Sequence, residues 1–140
     1  MTHPRPPVHR HGIRQAAAGL LATLLAGVAL AATPGDLLAG YTAEAGAPAQ
    51  AARGQAFFNA RHGKDWSCAS CHGAVPSQPG KHASTGKPIT ALAPAFNPER
   101  FSDAAKVEKW FRRNCNDVAG RACTSGEKAD VLAWLISLRP

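Results

Sequence analysis

Cys68-Ala69-Ser70-Cys71-His72 is the stretch on which the reading of this chain turns. Two thiols three residues apart, followed at once by an imidazole, form a C-x-x-C-H box. Each thiol can add to one of the two vinyl groups of haem, and the adjacent His then reaches the iron as proximal ligand. Other uses of two close cysteines fit less well. A thioredoxin-like redox pair needs a βαβ context, and Pro- and Gly-rich sequence follows the box instead. Half a zinc site needs a second donor pair, and Cys115 and Cys123 stand too far apart to supply one. A disulfide within the box would be strained. The box therefore predicts one covalently attached haem c, held by Cys68, Cys71 and His72.

Upstream of the box, Thr33-Pro34-Gly35-Asp36 predicts the start of a helix that carries Leu37, Leu38 and Tyr41 and stops at Gly46. A second helix is predicted from about Pro48 to Arg61, with Pro near its first position and Gly63 past its end. Gly54, Phe57 and Phe58 fall at i, i+3 and i+4 in it. The small residue permits close helix packing, and the aromatics can cover a porphyrin edge or serve as ordinary core.

Downstream, residues 73–98 carry Pro76, Pro79, Pro88, Pro94 and Pro98 with Gly80 and Gly86. That punctuation predicts a long loop with neither helix nor strand. Such a loop needs a surface to pack on, and Ile89, Leu92, Ala93 and Phe96 are its expected contacts with a haem face. Ser102 is the expected N-cap of the next helix, with Phe101 ahead of it as a staple. Val107, Trp110, Phe111 and Asn114 then recur on one helical face, while Lys106, Lys109, Arg112 and Arg113 cover the outside. Thr124-x-x-Glu127 is a capping box that opens a last amphipathic helix through Val131, Leu132, Trp134, Leu135 and Leu138. The expected fold is all-α: about four helices around one covalently bound haem.

The ends and the composition set the setting. Arg5, Arg10 and Arg14 precede an apolar run from Ala16 to Ala32, and Ala29-Leu30-Ala31 has the small residues of a signal-peptidase site. Residues 1–31 are thus read as a Sec-type signal peptide and residues 32–140 as the mature domain, exported to the periplasm. The run is short for a membrane span, so the membrane enters only through the uncleaved signal. The full chain of 140 residues has 16 basic and 9 acidic side chains. Removing the signal takes away three Arg and no acid, which leaves 13 against 9, a balance of +4. No basic cluster is interleaved with aromatics, so nucleic acid is not an expected partner. The single methionine is Met1, so the mature form has no thioether to offer the iron.

Beyond the haem box, the chain resembles the SHP (sphaeroides haem protein) family of asparagine-ligated class I cytochromes c. The likeness spans the mature chain and rests on Arg100-Phe101-Ser102-Asp103, Lys106-Val107-Glu108-Lys109-Trp110 and Arg113-Asn114-Cys115-Asn116. It continues through Gly120-Arg121, Cys123-Thr124 and Gly126-Glu127-Lys128-Ala129-Asp130. The resemblance implies that Asn114 is the sixth haem ligand and that Cys115 pairs with Cys123. Export to an oxidising compartment agrees with that bridge. The missing methionine and the helical face shared by Asn114 and Trp110 agree with the ligand. Asn116 falls instead on the solvated side, above Arg112 and Arg113.

The resemblance further implies electron transfer with a labile site: Asn114 leaves on reduction, and oxygen, nitric oxide or another diatomic binds. The implied redox partner is another c-type cytochrome, such as a dihaem cytochrome c. Two other readings stay open at this point. One is a haem-based small-molecule reductase or an oxygen- or NO-detoxifying enzyme. The other is a plain bis-His carrier, ligated by His62 or His82, or a haem with an empty sixth position.

Overall fold

The computed structural model describes Met1 and residues 32–140. The expected signal peptide lies outside these described residues, apart from Met1. Among them, no helix is long and apolar enough to cross a membrane.

The first helix, α1 (Pro34–Ala45), begins where its capping chemistry dictates. Thr33 Oγ1 accepts from the Asp36 N–H, and the Asp36 carboxylate accepts from the Thr33 N–H. Gly46, at φ 64°, ends it in the left-handed conformation that glycine adopts without strain. Helix α2 (Ala51–Asn59) is shorter than the expected Pro48–Arg61. At its start Gln50 stays extended and gives its N–H to Asp130 Oδ1 at 2.7 Å. At its end His62 Nε2 donates to the Phe57 carbonyl at 2.9 Å. A longer helix would have offered that carbonyl to residue 61.

The haem box itself forms a single helical turn, α3 (Ala69–His72). The expected structureless loop then contains a small hairpin, which corrects the expectation of neither helix nor strand in residues 73–98; the chain is otherwise helical, as expected. Strands β1 (Gly80–Lys81) and β2 (Pro88–Ile89) pair antiparallel, Gly80 opposite Ile89 and Lys81 opposite Pro88. His82 Nδ1 accepts from the Ser84 and Thr85 N–H groups and shapes the connecting turn. Pro88 is tolerated because this two-residue strand lies at a sheet edge.

Helix α4 (Ala104–Ala119) is capped by Asp103, one residue later than expected. Asp103 Oδ1 takes the Lys106 N–H at 2.9 Å, whereas the Ser102 hydroxyl is spent on the Glu99 carbonyl. Phe101 turns back into the core at φ 61°. Helix α5 (Ser125–Ser137) opens on the expected Thr124–Glu127 box.

The core gathers around α5, which packs on both α1 and α2. Leu132, Leu135 and Phe58 are almost wholly buried, with Tyr41, Phe101, Val107 and Trp134 beside them. Full burial of each such apolar side chain is worth about 1.5–3 kcal/mol. The crossing of α2 and α5 is tight because Gly54 has no side chain: a Cβ there would lie 1.9 Å from the Asp130 carbonyl oxygen. Asp130 itself is 3% exposed and is held by Gln50 N–H and the Arg53 guanidinium. Cys68 and Ala69 from α3, and Phe111 from α4, border this same core. The two elements that carry the expected ligands therefore meet one apolar centre.

Candidate functional site

The α3 turn sets Cys68, Cys71 and His72 by local hydrogen bonding. The Cys68 carbonyl accepts from the Cys71 and His72 N–H groups, and Ser70 Oγ accepts from Ser67 N–H just before the turn. Cys68 and Cys71 are free thiols, both half-buried. Burial, with the Cys71 charge a smaller cause, pushes the Cys68 thiol up to about 11. Cys71 Sγ accepts from the Ala83 N–H of the hairpin at 3.2 Å.

His72 is half-buried, with its ring centroid 6.2 Å from that of Phe58. Burial, then the nearby Arg100 charge, pushes it down to about 4, so its ring is neutral at pH 7 and keeps a lone pair to give. The hairpin closes over this turn. A Cβ on Gly80 would lie 2.0 Å from the Cys71 carbonyl oxygen, so only glycine fits there.

These features fit a haem c. The donor set is two unbridged thiols one helical turn apart and a neutral imidazole directed from the same turn. Trp66 and Val75, which flank the turn in the chain, are exposed large apolar side chains, as is Trp110 of α4 at 43%. A planar apolar cofactor would give them a surface to cover. Among the described residues, no three His, Cys, Asp or Glu side chains converge as a preformed metal cluster, so a zinc half-site gains no partner.

The second group of expected residues sits on α4. Cys115 and Cys123 form a disulfide with Cα atoms 5.6 Å apart. Asn114 directly precedes it and is exposed, on the same flank of the helix as Trp110. The buried stripe of α4 is Val107, Cys115 and Val118, with Phe111 partly buried, so Trp110 and Asn114 lie at its edge rather than at its centre. Asn116 is on the outer side, where it lines a cleft with Lys109, Arg112, Arg113, Asp117 and Ala122. Lys106, Lys109, Arg112 and Arg113 are all exposed, as the charge pattern predicts.

The two rival histidines are engaged elsewhere. His62 stacks on Phe57 with centroids 4.1 Å apart and caps α2, and His82 holds the hairpin turn. Two groups escaped the sequence reading. Arg100 donates to the Thr90 and Ala91 carbonyls and the Thr90 hydroxyl, which fixes the long loop beside His72. Glu108 is clamped between Tyr41 and Lys128. Its helical position, outside the apolar stripe, was the one available signal.

A family model described as a domain of unknown function (DUF1924) matches residues 44–135. The chain is 54% identical over 122 residues to cytochrome c-type protein SHP of Cereibacter sphaeroides, covering 83% of this chain and 94% of that protein. It superposes on the structure of oxidised SHP, described as an oxygen-binding cytochrome c, with a TM-score of 0.73 at 53% identity. That match covers 77% of this chain and 99% of the other. The solution structure of cytochrome c'' from Methylophilus methylotrophus, presented as giving insight into haem-ligand detachment, matches with a TM-score of 0.67. There the identity is 36%, over 76% of this chain and 94% of the other.

Proposed function

This chain belongs to the SHP family of monohaem c-type cytochromes, and from that premise we propose that it is a periplasmic electron-transfer protein with a labile distal ligand. Cys68 and Cys71 would attach its single haem c, and His72 and Asn114 would ligate the iron. When bound, the haem would supply a one-electron couple and an iron that a small neutral molecule can bind once Asn114 lets go.

The residues divide the work. Cys68 and Cys71 would hold the haem as thioethers, each adding its S–H across a vinyl group with no net redox change. His72 keeps a neutral imidazole for the iron because burial disfavours its charged form. The Asn114 side chain offers a neutral amide oxygen, a hard donor that suits the ferric better than the ferrous state. It would therefore let go on reduction and leave room for oxygen, nitric oxide or another diatomic. The similarity to an oxygen-binding cytochrome supports that readout. Export by residues 1–31 agrees with covalent haem attachment, and a dihaem cytochrome c is the proposed electron partner.

What carries this reading is the donor set on α4: Asn114, exposed beside Trp110 and adjacent to a half-cystine, in a chain whose only methionine is Met1. A bis-His carrier has less support, since His62 and His82 already hold a helix end and a turn.

Visible spectra of the haem-loaded protein in both oxidation states test it. The oxidised form is expected to be six-coordinate. The dithionite-reduced form is expected to be high-spin and to take up carbon monoxide at once. Asn114→Ala should change the oxidised spectrum and leave the reduced one nearly unaltered, while Asn116→Ala changes neither. A reduced protein that stays six-coordinate and inert to carbon monoxide would overturn the assignment.

A further inference from the structure

Glu108 joins three helices at one carboxylate. The Tyr41 hydroxyl of α1 donates to its Oε1 at 2.5 Å, and Lys128 Nζ of α5 donates to its two oxygens at 3.0 and 2.7 Å. The Lys128 ammonium also lies 5.1 Å above the Tyr41 ring and 6.0 Å from the Phe111 ring centroid. Tyr41 and Phe111 meet edge to face at 5.8 Å. Among the described residues, Glu108 is the one α4 side chain that hydrogen-bonds outside its own helix.

We propose that Glu108, held between Tyr41 and Lys128, is the positioning residue that fixes how α4 presents Asn114. The proposal rests on the reading of Asn114 as the labile ligand. Helix α5 packs closely along α1 and α2, but α4 makes no comparable backbone approach to any of them. It is tied by the Cys115–Cys123 bridge near its end and otherwise by side chains. The bridge and the buried Val107 and Val118 seat the stripe, and a small roll about the helix axis is the motion that shifts the residues at its edges. At 100° per residue, Glu108 and Asn114 stand about 120° apart around α4, on opposite flanks of its buried stripe. A rigid helix clamped on one flank cannot roll, so the clamp sets the reach of the amide on the other. Because Lys128 and Tyr41 belong to the α1–α5 packed layer, they tie that reach to the layer.

The test measures cyanide association with the oxidised, haem-loaded full protein, which requires Asn114 to step aside. Glu108→Gln and Lys128→Met are compared in the native and the Asn114→Ala background. Tyr41→Phe, which removes one hydroxyl and leaves the charge pair, serves as the mildest variant should either of the others fold poorly. In the native background each is expected to speed cyanide binding, the charge variants by roughly threefold to tenfold, as for directly coupled residues. With Asn114→Ala, binding is already fast and the clamp variants should add nothing.

Equal acceleration in both backgrounds, or none in either, would overturn the clamp while leaving Asn114 as the ligand. Should Asn114→Ala alone leave the oxidised spectrum and the cyanide rate as they were, the ligand assignment falls and the proposal falls with it.

Discussion

Where α2 crosses α5, backbone meets backbone; along α4, side-chain tips reach across to the rest of the molecule. At the crossing, Gly54 brings α2 against the Asp130 carbonyl, and the buried Asp130 side chain ties the entry to α2. On α4, Glu108, the Phe111 ring, the buried Val107 and Val118 side chains and a disulfide do the holding. Backbone packing of the first kind is all-or-none, because neither helix can shift without losing the fit. Contacts of the second kind can loosen singly. The helix that bears the proposed labile ligand is thus the one built to be adjusted, and the layer behind it is the reference against which it is set.

Breaking the rigid side should have the largest effect. An alanine Cβ at position 54 would lie 1.9 Å from Asp130 O and 2.6 Å from Val131 N, both backbone atoms that cannot swing aside. Gly54→Ala is expected to cost about 3 kcal/mol, at the upper end of the overpacking range. Denaturant unfolding of the haem-loaded protein measures it. The spectra of the fraction that remains folded should match those of the native protein. A loss under about 0.5 kcal/mol, the scale of ordinary surface substitutions, would mean that the two helices can part, and the contrast with α4 would fail.

The disulfide comes next. Its loop is short, with a sequence separation of 8, and chain-entropy reasoning gives about 2.5 kcal/mol for it. Non-reducing mass analysis should find Cys115 and Cys123 linked in protein from an oxidising compartment. Replacing both with Ser should lower stability by about that amount and also speed cyanide binding to the oxidised protein. The second effect sharpens the comparison, since Gly54→Ala should cost stability without it. A serine pair that loses stability with no change in ligand kinetics would assign the bridge to the scaffold alone.

The same division explains what the sequence makes legible. The C-x-x-C-H turn and the Thr33 and Thr124 capping boxes are local: their partners lie within three or four residues, so spacing alone reads them. Gly54 was legible as a close contact because a small residue amid larger helix formers has few other uses. The hairpin was not, because two-residue strands leave no period-2 pattern and their Pro and Gly read as punctuation. Asp103 displaced Ser102 as a cap once Ser102 found the Glu99 carbonyl, a choice set by the turn that Phe101 makes. The shortened α2 depends on Asp130, 80 residues away from Gln50. Glu108 and Tyr41 are separated by 67 residues, and nothing in either local sequence announces the other.

The smallest expected effect concerns the outer flank of α4, where the helix meets water instead of the core. Lys106, Lys109, Arg112 and Arg113 are exposed there, and Arg113 lies 5.7 Å over the Trp110 ring, next to the flank that carries Asn114. The adjoining cleft has Asp117 as its one acid. A solvated helix face needs no partner, but a cationic face beside the proposed haem edge would steer an acidic redox protein toward it. Steering acts on association and fades over a Debye length, about 10 Å at 0.1 M salt. Electron transfer with an acidic dihaem cytochrome c should therefore slow as salt rises through about 0.1 M. Changing Lys109 and Arg112 to Gln should slow it several-fold at low salt and leave it unchanged at high salt. Stability and spectra should not move with Lys109→Gln alone, since Lys109 supports neither the packed layer nor the Glu108 clamp; Arg112 stands near enough for its charge to act on Glu108, so its variant is read on the rate alone. A rate that ignores both salt and substitution would make this flank a solubilising surface and confine the adjustable role of α4 to its inner side.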